Sequence, residues 1–383
     1  MGRVIFAGAR LFDGAAFHEG QALVTRAGQI EAIVPEAQRP EGQQIVLKGG
    51  VLAPGLIDLQ VNGGGGVMLG AGAEPLEEIA TICAAHAALG ATGVLPTLIT
   101  TSAAQTRRVL AAGVAAVGRV SGFLGLHLEG PHLDLKRPGC HPAEHIRPMD
   151  QDDLETLCEA RAGLPALMLT VAPASVTPDQ IARLTEAGVV VFLGHADCSF
   201  AEAEAAKQAG AQGVTHLFNA MSQLGSREPG LVGAALSLPL ATGLIADGIH
   251  VAPQTAKLAL QLAGERMFLV TDAMAVAGTD LTAFDLAGQR ILRADGALRT
   301  ENGTLAGADL SLPQALRFCI DRLGLSPAQA LAMMTARPAQ VIGAKAGRLS
   351  PGLPADLVHF NEDWRLARVW QRGVARQAKS ETS

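Results

Sequence analysis

The chain contains no tyrosine, and aromatic residues make up only 3% of it. Its formal net charge is −6, so it lacks a basic face as well as a set of stacking rings. Both shortages argue against nucleic acid as a partner. No apolar run reaches the ~18 residues of a membrane span. The opening stretch "MGRVIFAGARLFDG" lacks the layout of a signal peptide, and Phe6 breaks a myristoylation motif. It is expected to begin a strand. Five cysteines are scattered without a CxxC pair. A disulfide framework or a cysteine zinc site therefore fits poorly, and a reduced, cytoplasmic protein fits best. There is no GxSxG elbow to suggest a nucleophilic serine.

What the chain has instead is apolar mass. Hydrophobic residues are 49% of its 383 positions against 17% charged, enough for a large core. Residues 3–53 alternate short apolar runs with turns, and the C-terminal stretch from "GRLSPGLPADLVHF" onward has the same character. Two similar ends around a different middle predict one small, discontinuous β-sandwich domain, residues 1–53 plus 345–383. The middle, 54–344, repeats an apolar run followed by a segment rich in Ala, Leu and Glu. Eight such runs occur: "GLIDLQVNG", "TGVLPTLIT", "GFLGLHLEG", "ALMLTVAP", "VVVFLGHA", "GVTHLFNA", "TGLIADGIH" and "MFLVTDAMA". Continuous apolar strands alternating with helices mean a parallel sheet. Eight units predict an α/β fold of the (β/α)8 TIM-like barrel type. A doubly wound open sheet competes, weakened by the absence of GxGxxG after the first strand.

Barrel chemistry sits where strands end. The ends of these runs carry Gln60 and Asn62, Thr97, His127 and Glu129, Thr170, His195, His216, Asp247 and His250, and Asp272. Burying so many polar groups without a partner is costly, and a metal ion is the economical common partner. Glu129, His195 and His216 end the third, fifth and sixth runs and could converge as three ligands with one position left open. Asp272 would then be free to act as a base. The four glycines at 63–66 lack the GK[ST] of a P-loop. They read either as a close backbone approach to the site or as a flexible turn.

These residues lie in motifs that run in order over nearly the whole chain: "PGLIDLQVNGGGG", "GLHLEGPHLDLKRPGCH", "LGHADCSF", "THLFNAMSQLGSREPGLVG", "ADGIHV", "LVTDAMAVAG" and "NGTLAGADLSL". In them the chain resembles the amidohydrolase superfamily, and within it the N-acetylglucosamine-6-phosphate deacetylase family. The resemblance implies hydrolysis of the substrate acetamide to acetate and an amino-sugar phosphate, on one divalent metal per subunit. Zinc is the default and iron(II) the second choice. It implies Glu129, His195 and His216 as ligands and Asp272 as general base, then acid. Cys140 and His141 fall beside the N-acetyl group, with His141 helping to hold the oxyanion. Asn219, Ala220, Arg227 and His250 match sugar-phosphate contacts, and Leu305, Ala306 and Gly307 a loop lining the substrate. It also implies a homodimer in which Arg227 can reach the neighbouring site.

The chain departs from the wider superfamily at Gln60-Val61-Asn62, where His-x-His often holds a second metal. Amides are poor ligands for transition metals, so a single metal is expected. A second departure, His132, is given no role. The rivals are the galacto epimer as substrate, another amidohydrolase of the dihydroorotase or aminoacylase kind, and a metal-free scaffold.

Overall fold

The computed structural model describes residues 2–379. All eight apolar runs form parallel barrel strands: β1 (Leu56–Val61), β2 (Ala91–Ile99), β3 (Leu126–Glu129), β4 (Leu167–Val171), β5 (Val190–Leu193), β6 (Gly213–Val214), β7 (Ala241–Leu244) and β8 (Met267–Leu269). They pair in sequence order, each parallel to the next. The seam between β8 and β1 closes just beyond the strand ends. Asp272 N–H donates to Gln60 O (3.0 Å), and Asn62 N–H to Ala273 O (2.8 Å). The expected barrel is thereby obtained rather than the open sheet.

Helices fill the gaps between strands because their starts are written locally. Asp150, Thr177 and Ser199 each accept from the backbone three residues on, and Asp153, Gln180 and Glu202 return the bond. Such reciprocal caps satisfy two donors that a helix start otherwise leaves orphaned. The chain ends form separate sheets. Val51–Pro54 pairs antiparallel with Leu357–Phe360, so one six-stranded sheet contains both ends of the chain. A second core lies between it and the N-terminal four-stranded sheet, with the Phe6 and Trp370 rings edge to face at 5.1 Å.

One sheet was not read from the sequence. Ala283–Leu286, Gln289–Ala294, Ala297–Thr300 and Leu305–Ala308 form a four-stranded antiparallel insert after β8. Its signals were present, since Asp295-Gly296 and Asn302-Gly303 are hairpin dipeptides. At 63–66 the close approach is to neighbouring backbone and not to the site: a Cβ on Gly63 would lie 2.4 Å from Val67 O and 2.7 Å from Ala275 N. Gly65 and Gly66 N–H donate to Ala277 and Ala275 carbonyls, fastening this loop to the chain beyond β8.

The seam has a pH signature. Both oxygens of the buried Asp58 carboxylate accept Thr271 N–H at 3.2 Å, and Oδ2 accepts the Thr271 hydroxyl at 2.5 Å. Burial pushes Asp58 up to about 7 from 3.8. The folded state therefore holds this proton where the unfolded chain has released it. The stabilisation is full below the unfolded pKa and is lost as pH rises through about 7, at roughly 1.4 kcal/mol per pH unit. Asp58→Asn cannot titrate, so the gap in Tm between it and the parent should change steadily from pH 4 to pH 7. Parallel Tm profiles for the two proteins would show that Asp58 is not protonated in the fold.

Candidate metal and amide-hydrolysis centre

Three C-terminal strand ends and the loop after the third strand bring four buried groups around one point. Glu129 Oε1 lies 2.9 Å from His216 Nε2 and 3.3 Å from His195 Nε2. The two imidazole nitrogens are 3.1 Å apart. His141 Nε2 stands 3.6 Å from the other oxygen, Glu129 Oε2. Each of the four side chains is nearly inaccessible to solvent. Burial alone would raise Glu129, but the surrounding imidazoles hold it well below the usual carboxylate range. His216 is raised despite its burial, by bonding to Glu129.

Tautomers separate the four. His195 Nδ1 sits 2.9 Å from Arg137 O, a carbonyl that can only accept. The proton is on Nδ1, and the Nε2 lone pair faces the centre, as a ligand requires. For His141 the order is reversed. Two groups of Thr100 meet Nδ1, the backbone N–H at 3.3 Å and the hydroxyl at 2.8 Å; the backbone N–H can only donate, so with the hydroxyl donating as well Nδ1 carries the lone pair and Nε2 the proton. An N–H pointing at the centre is a donor and not a ligand. Glu129, His141 and His195 also fall within metal-ligand reach of one another. The tautomer argument nevertheless favours His216 over His141 as the second imidazole. His216 Nδ1 is buried with no hydrogen-bond partner among the described residues, so nothing fixes its tautomer against ligation. A carboxylate oxygen and two imidazole nitrogens crowded within 3.3 Å suit a divalent cation at their centre.

Asp272 lies beside this cluster and is held by amides. Asn62 Nδ2 donates to its Oδ1 at 2.6 Å and Gln60 Nε2 at 3.1 Å. Gln60 Nε2 also donates to Glu129 Oε1 at 3.0 Å, bridging the two carboxylates. Burial, reinforced by the Glu129 charge, pushes Asp272 up to about 6. His195, His216 and Asp272 all adopt positive φ (46°, 28° and 54°). Non-glycine residues pay for that conformation, and such strain collects where function needs it.

A cavity of about 540 Å³ opens above these groups, in the range of small-ligand sites. Of the residues expected from sequence, Cys140, His141, Asn219, Ala220, His250, Leu305 and Gly307 line it. His250 Nδ1 is fixed by Asp247 at 2.6 Å. Two expected contacts are not brought in. Ala306 turns away into the core of the insert, fully buried. Arg227 is exposed and outside the cavity wall. His127 lies below the site, bonded to Thr170 Oγ1 at 2.7 Å. Lys136, Arg137 and Arg299 also line the cavity and were not singled out by sequence.

The chain matches the amidohydrolase family over residues 51–375. It is 40% identical to an N-acetylgalactosamine-6-phosphate deacetylase of Shewanella sp. (strain ANA-3), covering 85% of this chain and 83% of that one. It is 32% identical to the N-acetylglucosamine-6-phosphate deacetylase of Haemophilus influenzae, over 88% and 90% of the two chains. The crystal structure of N-acetylglucosamine-6-phosphate deacetylase from Pasteurella multocida superposes with a TM-score of 0.94 at 32% identity, over 98% of this chain and 99% of that one.

Proposed function

From the premise that the chain belongs to the amidohydrolase family, we propose that it is a metal-dependent deacetylase. Its substrate is N-acetylglucosamine 6-phosphate, and its products are glucosamine 6-phosphate and acetate. The observation that carries this reading is the pairing of a buried Glu129–His195–His216 cluster with a separate, amide-held carboxylate, Asp272, on the floor of one cavity. The relatives that are deacetylases of amino-sugar phosphates support it.

Glu129, His195 and His216 would hold one divalent ion, zinc by default and iron(II) as second choice. When bound, that ion supplies Lewis-acid polarisation and lowers the pKa of water. This chain's residues do the rest. Two amide donors occupy Asp272 Oδ1, which leaves Oδ2 to take a proton from the attacking water and return it to the leaving amine. The Nε2–H of His141 points into the same space and can donate to the oxyanion that develops on the acetamide oxygen. Cys140, Asn219, Ala220, His250, Leu305 and Gly307 form the wall around the sugar. With Gln60 and Asn62 spent as donors to the two carboxylates, a second metal has no imidazole pair to bind. We further propose a homodimer, in which the exposed Arg227 reaches across to its neighbour's cavity. A cytoplasmic setting suits the five cysteines, none of which is paired. No helix among the described residues is long and apolar enough to cross a membrane.

The galacto epimer is a second reading, carried by the 40% identity to the Shewanella enzyme. The test is acetate release from N-acetylglucosamine 6-phosphate, its galacto epimer and both unphosphorylated sugars. A phosphorylated sugar should be preferred by at least about 100-fold in kcat/KM, the scale of two charge-assisted contacts. Equal rates with and without phosphate, or faster turnover of an acetylated amino acid, would overturn the reading.

A further inference from the structure

One loop touches both of the histidines that flank the Glu129 carboxylate from opposite roles. After β3 the chain turns at residues 134–141 and meets the loop after β5 at residues 195–197. His195 Nδ1–H donates to Arg137 O at 2.9 Å. The next carbonyl along, Pro138 O, accepts from His141 N–H at 3.0 Å. Gly139 packs against the His195 ring with φ at 57°, and a Cβ there would sit 3.2 Å from His195 Cε1. The segment that orients the ligand therefore also places the oxyanion donor.

The two loops are bonded to each other on both sides of His195. Asp134 N–H donates to His195 O (2.9 Å), and Asp197 N–H donates back to Asp134 Oδ2 (3.1 Å). Within the first loop, Lys136 N–H donates to Asp134 Oδ1 (2.9 Å) and Arg137 N–H to Asp134 O (2.8 Å), which closes the turn. Arg137 Nε and Nη2 both donate to Asp197 Oδ1, at 2.9 and 2.7 Å. Pro138 biases Arg137 toward extended backbone, which limits where its carbonyl can point. Asp134 is buried, and a buried carboxylate is costly unless its oxygens are bonded. Here each oxygen takes one backbone N–H, one from each loop. The Arg137 and Asp197 side chains are 40% and 31% exposed. Solvent screens such a pair, so Asp134 carries the larger share of the restraint.

We propose that Asp134, supported by the Arg137–Asp197 pair, is a positioning residue for the ligand His195. It holds the Arg137 carbonyl against Nδ1–H, and so sets how firmly Nε2 binds a divalent ion. A carbonyl that accepts from Nδ1–H fixes the tautomer and the ring, and makes the other nitrogen a better donor. The inference rests on His195 being a metal ligand, as the deacetylase reading has it, and adds to that reading a residue outside the cluster that governs metal affinity.

The experiment measures the Kd for zinc, by competition with a chromophoric chelator, in the parent, Asp134→Ala, Asp134→Asn, Arg137→Ala and Arg107→Ala. Asp134→Ala should weaken zinc binding by about 10- to 100-fold, the scale of losing a group that orients a ligand. Asp134→Asn keeps the shape and one acceptor oxygen, and should lose about 10-fold at most. It is the variant to read if the alanine does not fold. Arg137→Ala keeps the backbone carbonyl and should lose about 5-fold or less, as an exposed pair predicts. Arg107→Ala breaks an exposed pair with Asp152 elsewhere on the surface, and should bind zinc as the parent does. The metal-free proteins give a second readout. Long-range proton–nitrogen spectra of the imidazoles should show His195 protonated at Nδ1 in the parent and a mixture of tautomers in the Asp134 variants. Parental zinc affinity in both Asp134 variants overturns the proposal, and so does weakened affinity with the His195 tautomer unchanged. If zinc binding depends on Asp134 but the parent releases acetate from no sugar, the positioning role stands and the deacetylase reading fails. If the parent releases acetate and the Asp134 variants bind zinc normally, the positioning role fails and the reading stands.

Discussion

Asp272→Asn should lose turnover by about 10³-fold or more, the scale of general acid–base catalysis, while keeping its metal and its fold. The substitution is conservative at each point the structure can check. Residue 272 holds φ at 54°, a region that asparagine tolerates better than most residues. Its backbone N–H to Gln60 O and its carbonyl to Ala308 N are untouched by the change. An asparagine Oδ1 can still accept from Gln60 and Asn62. What disappears is the basic Oδ2, replaced by an NH₂ that cannot take a proton. Burial and the Glu129 charge push Asp272 up to about 6. The parent should therefore lose kcat on the acid side, where the base is protonated, at or below that value. A divalent cation beside the carboxylate moves that limb to lower pH. Metal analysis, circular dichroism and single-turnover kinetics decide the matter. Normal turnover in the variant would remove Asp272 from the chemistry. Loss of metal alongside activity would make it a ligand and not a base.

The barrel was legible because its strands end abruptly in the residue types that a buried strand avoids. "LHLE", "LGHA" and "VTHL" each run from an apolar core position straight to an imidazole or carboxylate, and that contrast marks Glu129, His195 and His216 as residues of one rim. The hairpin insert was missed for the opposite reason. Its strands, such as "AFDL" and "ALRT", are short and half polar, so only the Asp295-Gly296 and Asn302-Gly303 turns mark them. Arg299 was missed with them. Other facts are not carried by residue type at all. Positive φ at His195, His216 and Asp272 comes from how the strand ends are packed. The tautomer of His141 depends on Thr100, whose backbone N–H is brought to it across 41 positions of sequence. Gln60 and Asn62 stand out in the sequence as amides at a strand end, but the carboxylates they hold became visible only when β8 met β1.

That tautomer assignment leads to the second large effect. Glu129→Gln and His216→Gln should each arrive nearly metal-free and inactive, whereas His141→Gln should keep its metal and still lose turnover. Glu129 supplies the anion of the cluster, and its Oε1 meets both His195 Nε2 and His216 Nε2. A neutral amide in its place leaves two imidazoles and no counter-charge, a weak set for a divalent ion. His141 presents a proton and not a lone pair, so removing it leaves three ligands intact. Stability gives a readout that does not depend on activity. An ion that binds only the folded chain adds about 4 kcal/mol at a thousandfold excess over its Kd. Chelation should therefore lower the Tm of the parent and of His141→Gln by several degrees, and leave Glu129→Gln and His216→Gln unmoved. The response to chelator is the comparison to use, because Glu129 also stabilises the metal-free fold. Its pKa is depressed in the folded state, so that contribution is present above the unfolded carboxylate range and is lost as pH falls through the folded value. If His141→Gln loses its metal while His216→Gln retains it, the two histidines have been assigned to each other's roles, and the donor to the oxyanion must be sought at His216.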